Sequence, residues 1–474
     1  MSQHRPRAVA LIDGEHYPDV VAQSLRSLSD RYQMVAAVFL GGTEKIRGTD
    51  LGAVAQELYG LPVVIGAEPL AAMEQALSQY EPDCVVDVSD EPVVGYAERF
   101  RYASFALARG VAYLGSDFRF SPPLFEHLAS APSLSIIGTA KRVGKTALSG
   151  YVARVLQREL FGGEGSGRGV VIVPMGRGGP VEPETIDGLQ RQISSRELLA
   201  WSRQGRHAAS DHFEDAVLSR VTTVGCRRCG GGLAGQVFVS NVAQGVRVAN
   251  RLDPGLLIVE GSGSAIPPVY ADARICLAGA HQPLEYVVGY FGTYRLLVSD
   301  AVVVAMAEEP LASKEKVERL IEGIRELKPN MPVVPVVFRP RPLEDVRGRR
   351  VALFSTTPPS MEWVVRRHLE AEYGCSVRLF SPNLSRRPLL KQDLERQEME
   401  EVDVVLTEIK AAAIDVVAEA ADSRGRPVVF VDNDPVEVAP AQPGDLVAMC
   451  VQAAATAQAR FAAGAGRHDG GWAQ

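Results

Sequence analysis

The residues best suited to chemistry lie between Ser135 and Thr146, where an apolar strand runs into a glycine-rich turn and the start of a helix. Backbone N–H groups in such a turn point at phosphate oxygens, and the positive end of the helix dipole strengthens the attraction. Lys145 is spaced to reach the β- and γ-phosphates, and Thr146 to ligate Mg²⁺. The segment therefore predicts a site for a nucleoside triphosphate and Mg²⁺. Its other predicted nucleotide-binding positions are Gly138, Thr139, Arg142, Val143 and Gly144.

The spacing of this loop departs from the usual G-x-x-x-x-G-K-[ST] pattern, because Gly138 stands one residue early and Thr139 occupies the first glycine position. This variant resembles the loop of dethiobiotin synthetase and its relatives, enzymes that use ATP to activate an oxyanion. The alternative is a chance glycine-rich turn. The apolar strand before the loop and the helix-compatible residues 147–149 after it favour the phosphate site.

A carboxylate at the end of a second apolar strand is the natural partner of this loop. Residues 256–259 read as a strand that ends in Glu260 and a glycine turn. An enzyme with such a loop needs another carboxylate directed at Mg²⁺, so we predict Thr146 and Glu260 as the metal ligands. The alternative role for Glu260 is to cap a helix.

The bulk composition is that of a multidomain globular protein. The chain has 474 residues, enough for two or three domains, and a net charge of −7. Because the net charge is negative, we expect no surface that binds nucleic acid. Because no apolar run is long enough to span a bilayer, we expect no membrane partner. The polar start at residues 1–7 fits no signal peptide, so we expect a cytoplasmic protein.

The six cysteines do not suggest a disulfide framework in so long a chain. Cys226 and Cys229 form a lone C-x-x-C pair. Zinc ligands usually come as two such pairs, so ordinary thiols are favoured over a zinc site.

The fold class predicted from alternating apolar runs and helix-compatible segments is α/β. We expect an N-terminal Rossmann-like doubly wound domain at 1–130 and a central P-loop NTPase domain at 131–340. A C-terminal α/β section at 350–458 and a flexible tail at 462–474 complete the chain. The predicted strands are 8–12, 34–40, 62–65, 84–88, 111–114, 170–173, 236–239, 256–259, 301–304, 333–338, 351–354, 377–380, 402–407 and 428–431.

Polar clusters follow several predicted strands of the N-terminal domain. In doubly wound sheets, ligands bind beyond the carboxyl ends of the strands. We therefore predict substrate contacts there; the alternative is that these residues only cap helices. The predicted contacts are Asp13, Glu15, His16, Gly41, Gly42 and Lys45.

Cations are concentrated in the middle of the chain, where 168–251 contains eleven arginines, no lysine and seven acids. Planar guanidinium groups match phosphate oxygens, which favours a small, highly anionic substrate over a merely solvated surface. The predicted substrate-binding arginines are Arg177, Arg206, Arg227 and Arg228. The predicted catalytic residues are Lys145, Lys141, Arg177 and Glu260.

The C-terminal section also places polar residues at predicted strand ends. Lys410 follows one strand and is predicted to bind substrate. Asp432 and Asn433 follow the last strand and are predicted to bind the nucleotide.

Six motifs together resemble those of the cyclic 2,3-diphosphoglycerate synthetase family, over nearly the whole chain. They are Leu11 to Pro18, Gly41 to Lys45, Gly138 to Thr146, Val259 to Gly263, Glu408 to Asp415 and Val431 to Asn433. The resemblance implies an ATP- and Mg²⁺-dependent ligase that closes 2,3-bisphosphoglycerate into a cyclic pyrophosphate and releases ADP and phosphate. It also implies a thermoprotective osmolyte as product, and we expect a homodimer.

Two other functions compete with this interpretation. An amidoligase of the same P-loop group would need a glutamine-hydrolysing cysteine, for which Cys375 near His368 is the candidate. A nucleotide-driven partitioning or switch protein would carry a signature lysine at position 140, where this chain has Ala140.

Overall fold

The computed structural model describes residues 5–46, 51–162, 168–189, 193–205, 211–410 and 412–464. The chain divides into two compact units. The first comprises Met1–Pro123 and Leu284–Val298, and the second comprises Leu124–Pro283 and Ser299–Gln474. Both units contain parallel sheets covered by helices, which confirms the predicted α/β class.

The strands in chain order are β1 (Arg7–Ile12), β2 (Gln33–Phe39), β3 (Val63–Val64), β4 (Cys84–Asp87), β5 (Ala112–Leu114), β6 (Arg119–Phe120), β7 (Ser133–Gly138), β8 (Val170–Gly176), β9 (Glu184–Ile186), β10 (Thr222–Cys229), β11 (Val239–Ser240), β12 (Leu256–Glu260), β13 (Ala273–Gly279), β14 (Ala301–Ala305), β15 (Val333–Pro342), β16 (Arg350–Phe354), β17 (Ser376–Ser381), β18 (Val404–Thr407) and β19 (Val428–Glu437).

The helices are α1 (Pro18–Leu28), α2 (Leu51–Tyr59), α3 (Pro69–Tyr80), α4 (Tyr96–Ala108), α5 (Lys145–Phe161), α6 (Ser195–Arg203), α7 (Asp211–Ser219), α8 (Val242–Asn250), α9 (Leu284–Val288), α10 (Gly292–Leu297), α11 (Lys314–Leu327), α12 (Glu362–Tyr373), α13 (Arg387–Leu394), α14 (Glu419–Ser423) and α15 (Asp445–Ala462). Short 3₁₀ turns cover Pro359–Met361 and Gln397–Glu401, and a π-helical turn covers Ala413–Ala418.

The first unit is a Rossmann-like sheet with strand order β3-β2-β1-β4-β5-β6. Its first five strands are parallel and only β6 is antiparallel. The chain returns to this unit at α9 and α10, where Phe291 packs edge-on against Phe100 with ring centroids 5.3 Å apart. This second passage of the chain was not apparent in the sequence, because it lies between two strands of the other unit.

The second unit contains a 13-stranded sheet with the order β11-β10-β8-β12-β7-β13-β14-β15-β19-β18-β16-β17, and β9 pairs with β10. The central strands are buried on both faces, which explains their continuous apolar runs. Sequence analysis missed β10 and β13. It also placed a strand at 236–239, where the structure has only β11 at Val239–Ser240.

The strands of the C-terminal section continue the sheet of the central section through two long strands, β15 and β19. The first three residues of β15 pair with β14, and Val336 to Pro342 then pair antiparallel with Glu437 to Val431 of β19. The amino end of β19 pairs with the carboxyl end of β18. The seven antiparallel pairs span about 24 Å, at about 3.4 Å per residue. The carboxyl ends of the two parallel groups therefore face each other along this ladder.

Charged side chains fasten α5 to this ladder. Arg154 of α5 donates to Asp432 Oδ2 at 2.7 Å and also pairs with Asp434. Arg341 of β15 donates to the same two carboxylates, at 3.0 Å and 2.6 Å. Asp432 is fully buried, so its charge depends on both guanidinium groups.

We expect Asp432→Asn to lower the free energy of unfolding by about 3 kcal/mol, because it leaves two arginines around a buried neutral amide. Asp434→Asn is the matched control on the same ladder. The Asp434 side chain is 27% exposed, so this substitution should lower the free energy of unfolding by only about 1 kcal/mol. Urea unfolding followed by circular dichroism measures both variants. Equal losses would contradict the central role of Asp432.

Candidate active site

The phosphate loop between β7 and α5 has the backbone conformation that its sequence requires. Arg142 and Gly144 both adopt left-handed conformations, with φ values of 63° and 96°. A Cβ atom at Gly144 would lie 2.3 Å from the ring of Phe338, so only glycine fits there. Val143 is fully buried in the hydrophobic core, and only its backbone can contact a nucleotide.

The first residues of the loop are held by the neighbouring strand β13 and the loop that follows it. The Thr139 N–H donates to Leu277 O at 3.0 Å, and its hydroxyl donates to Gln282 Oε1 at 2.6 Å. Gly138 is buried at the end of β7, where an added Cβ would lie 3.2 Å from Lys145 Nζ. These contacts fix the entrance of the loop before any ligand binds.

Lys145, Thr146 and Glu260 lie together at the carboxyl edge of the sheet. Lys145 Nζ donates to Ala140 O at 2.8 Å, and burial lowers its pKa to about 8. The Thr146 hydroxyl donates to Glu260 Oε1 at 3.0 Å. Burial, assisted by the charge of Asp211, raises the pKa of Glu260 to about 8. Glu260 Oε2 is buried and has no hydrogen-bond partner in the described part of the chain.

Helix α7 adds acidic residues that sequence analysis missed. Asp211 lies next to β8, since a Cβ on Gly176 would be 3.2 Å from Asp211 Oδ2. Asp215 is fully buried within reach of Glu260, and burial and the Glu260 charge raise its pKa well above the usual value. The detectable signal was the i, i+4 spacing of these two aspartates, which places them on one helix face.

A cavity of about 1360 Å³ lies within the second unit, between the carboxyl ends of the two parallel strand groups. One wall contains the phosphate loop and Glu260, and the opposite wall comes from the C-terminal section. Residues that line it include Lys141, Arg142, Lys145, Thr146, Arg177, Asp211, Glu214, Glu260, Gly263, Phe338, Thr356, Arg386, Glu408, Lys410, Asp432 and Asn433.

The predicted arginines occupy different positions. Arg177 lines the cavity, and Arg228 is half-buried, donating to Gly230 O and Ser262 O. Arg227 is exposed on β10. It immediately precedes Arg228 along the strand, so its side chain points to the opposite face of the sheet from that of Arg228. Arg206 lies outside the described residues.

The predicted C-terminal contacts line the cavity but are already engaged. Lys410 forms an ion pair with Glu214 of α7, and the Glu214 and Glu408 charges raise its pKa against the opposing effect of burial. Asp432 is held by its two arginines, which limits its capacity to bind a nucleotide directly. Asn433 Nδ2 donates to Glu408 Oε1 at 3.4 Å.

The N-terminal cluster is formed within the first unit. Asp13 is fully buried and accepts bonds from the N–H groups of Glu15, His16 and Asp90 and from His16 Nδ1. This carboxylate thus organises its own loop. Lys45 forms an ion pair with Glu44. The carbonyl of Gly41 accepts a hydrogen bond from the N–H of Gly14, and Gly14 packs against the backbone of Gly42.

The thiols have no metal-site geometry. Cys226 is buried and Cys229 exposed, and among the described residues no group of three or more His, Cys, Asp or Glu side chains is arranged to hold a metal. Cys375 is buried, and burial raises the pKa of its thiol, which disfavours the nucleophilic role that an amidoligase requires. None of the described helices has the length and apolar character needed to cross a bilayer.

The fold and loop define a P-loop nucleotide-binding protein, and residues 133–337 match the model of the P-loop domain of cyclic 2,3-diphosphoglycerate synthetase. Residues 7–121 match its N-terminal domain and residues 342–434 its C-terminal domain. The chain belongs to the cyclic 2,3-diphosphoglycerate synthetase family.

Two relatives bearing that name illustrate the similarity. The protein from Rubrobacter xylanophilus is 54% identical over 433 residues, covering 91% of this chain and 94% of the relative. The protein from Methanothermus fervidus is 43% identical over 438 residues, covering 91% and 93%. Among solved structures, the hydrogenase maturation factor HypB of Archaeoglobus fulgidus is 15% identical with a TM-score of 0.28, covering 44% of this chain and 81% of that one.

We expect Gly144→Ala to abolish ATP binding, because the methyl group would displace Phe338 and strain a left-handed residue at the start of α5. Gly162→Ala is the matched control at the other end of the same helix, where φ is 71° but no atom lies within 4 Å. It should cost about 1 kcal/mol of stability and leave ATP affinity unchanged. Calorimetric titration with ATP distinguishes the two variants, and equal ATP affinities would contradict the assignment.

Proposed function

We propose that this enzyme converts 2,3-bisphosphoglycerate and ATP into cyclic 2,3-diphosphoglycerate, ADP and inorganic phosphate. The observation that carries the proposal is the set of Lys145, Thr146 and Glu260 on one wall of a cavity that Lys141, Arg142 and Arg177 also line. Membership of the family, at up to 54% identity over nearly full length, supports the choice of reaction.

The chemistry requires prior activation of one phosphate, because oxide is not a viable leaving group. An oxygen of one substrate phosphate attacks the γ-phosphorus, and the bond between that phosphorus and ADP breaks. The neighbouring substrate phosphate then attacks the phosphorus that now carries the γ-phosphoryl group. A P–O–P bond closes the ring, and inorganic phosphate leaves.

The nucleotide would bind through the phosphate loop and Lys145. Met306, Leu311 and Phe338 are apolar residues of the cavity lining, and Phe338 lies beside Gly144, so these side chains suit the base. Lys145 is held near the loop by the weak partner Ala140 O, which phosphate oxygens would replace. Its burial strengthens this interaction, because a low-dielectric setting favours pairing with an anion.

Thr146 and Glu260 would hold Mg²⁺. The buried Oε2 of Glu260, near the Asp215 carboxyl, fits this role, since two buried carboxyl groups close together need a compensating charge. Asp211 lies close enough to add negative charge to the same position. When bound, the ion would offset charge on the β- and γ-phosphates.

The rest of the site must offset the electrostatic repulsion between the two bound anions. Two unit charges about 4 Å apart repel by about 4 kcal/mol at an effective dielectric of 20, and several such pairs meet when two polyanions bind together. Lys141, Arg142, Arg177 and Arg228 would offset this repulsion by position and charge. No covalent nucleophile is required.

Several expectations from the sequence stay predictions. They concern acceptor contacts from Asp13, Glu15, His16, Gly41, Gly42 and Lys45, and a homodimer in the cytoplasm with an osmolyte as product. Phosphorus NMR of a mixture of enzyme, ATP, Mg²⁺ and 2,3-bisphosphoglycerate tests the reaction itself. We expect new cyclic pyrophosphate resonances with equimolar ADP and phosphate; ADP without a cyclic product would overturn the proposal.

We expect Lys145→Ala to reduce ring closure at least about 1000-fold while the fold is retained, because Lys145 acts on the transferred phosphoryl group. Lys314→Ala is the control, since this side chain is 79% exposed and, among the described residues, forms its ion pair with Glu318. Both are assayed for product by phosphorus NMR and for folding by circular dichroism. Near-normal turnover in folded Lys145→Ala would refute the role of the loop.

We expect Glu260→Gln and Thr146→Val each to weaken divalent-ion binding about 10- to 100-fold, because each removes an oxygen ligand or its charge. Mn²⁺ binding to the ATP complex, followed by electron paramagnetic resonance, measures this directly and needs no turnover. Unchanged Mn²⁺ affinity in both variants would place the ion elsewhere.

A further inference from the structure

Two arginine side chains, from Arg177 and Arg228, lie beside Gly263 in the loop that follows β12. A Cβ atom added to Gly263 would lie 2.9 Å from Nη2 of Arg177 and 3.5 Å from Nη2 of Arg228. The two guanidinium groups therefore border the space that any side chain at Gly263 would enter. Gly263 also has a φ of 64°, a conformation that disfavours other residues.

The surrounding protein orients Arg228 without neutralising it. Its Nη1 donates to Gly230 O at 2.6 Å and its Nη2 to Ser262 O at 2.7 Å, and both acceptors are uncharged carbonyls. Its Nε is buried and has no partner in the described part of the chain. Within that part, neither Arg228 nor Arg177 forms an ion pair with a carboxylate.

Positively charged side chains lie close to one another beside Gly263. Burial and the charge of Arg177 lower the pKa of Arg228. Burial, followed by the charges of Arg177 and Arg142, lowers the pKa of Lys141. The charge of Asp211 opposes both effects, and cations that repel one another gain free energy when a further anion binds among them.

This cation group lies next to the candidate nucleotide site. Glu260, which accepts the Thr146 hydroxyl, precedes Gly263 by only three residues. Three residues span at most about 11 Å, so an anion beside Gly263 is close to the γ-phosphate position. Arg177, Gly263 and Glu260 all line the same cavity.

We propose that Arg177 and Arg228 form a clamp for one phosphate of the acceptor, the phosphate that receives the γ-phosphoryl group, and that Gly263 keeps this clamp open. The assignment rests on the proposed function and adds the subsite to it. Two planar guanidinium groups can each give two parallel N–H bonds to a phosphate dianion. The absence of a side chain at Gly263 lets both groups reach the same phosphate.

The test measures acceptor and nucleotide affinity separately in the full-length enzyme. Arg228→Met and Gly263→Ala are titrated calorimetrically with 2,3-bisphosphoglycerate, with inorganic phosphate and with ATP. Arg251→Met is the control, because Arg251 is an exposed arginine at the end of α8 and does not line the cavity. We expect both clamp variants to bind the two acceptor probes about 10- to 100-fold more weakly, with ATP affinity within about threefold of the wild type.

Arg228→Lys keeps the charge but loses the guanidinium fork, and it guards against a folding defect in Gly263→Ala. Weakened phosphate binding in this variant, with ATP binding retained, supports the clamp. Acceptor affinities equal to those of Arg251→Met in all clamp variants would overturn it. Inorganic phosphate separates the two proposals: a wild type that binds phosphate through the clamp but forms no cyclic product would refute only the proposed reaction.

Discussion

The antiparallel ladder between β15 and β19 is the constraint on which the rest of the second unit depends. Parallel strands present their ligand-binding loops at one edge only, so a single parallel sheet offers one wall to a substrate. Here the ladder reverses the direction of the C-terminal strands and sets the two carboxyl edges about 24 Å apart along its length. The result is a cavity with a loop-rich wall on each side.

The Asp432 network connects this architecture to the phosphate loop. Arg154 lies on α5, the helix that begins at Lys145, and it pairs with carboxylates on β19. The same Arg154 also donates to Leu218 O on α7, the helix that carries Asp211 and Asp215. One buried ion-pair cluster thus ties the loop helix, the acidic helix and the ladder together. Asp432 belongs to this cluster, and its predicted contact with the nucleotide stays a prediction.

The sequence predicted many local features of the fold. The loop at Gly138 to Thr146 and the acid Glu260 were recognisable because each is determined by a short stretch of residues with fixed spacing. Strands such as β7 and β12 were recognisable because burial on both faces produces continuous apolar runs. By contrast, β10 begins with two threonines and ends with Arg227, Arg228 and Cys229, so its pattern did not indicate a strand.

Features that depend on distant pairing could not be predicted in this way. Asp215 meets Glu260, and Arg228 meets Arg177, only through the order of strands in the sheet. The continuity of the C-terminal section with the central sheet likewise depends on the pairing of β15 with β19, which are 86 residues apart from Pro342 to Val428. Arg227 and Arg228 are adjacent in sequence, yet their side chains point to opposite faces of the sheet and therefore have different surroundings.

The central claim is that an acceptor phosphate takes up the γ-phosphoryl group within this cavity before the ring closes. Transfer of ¹⁸O from the phosphates of labelled 2,3-bisphosphoglycerate to released inorganic phosphate tests this claim most directly. The oxygen that attacks the γ-phosphorus must leave with it when the ring closes, so one ¹⁸O atom should appear in each inorganic phosphate. Inorganic phosphate that contains no ¹⁸O from the substrate would contradict the account.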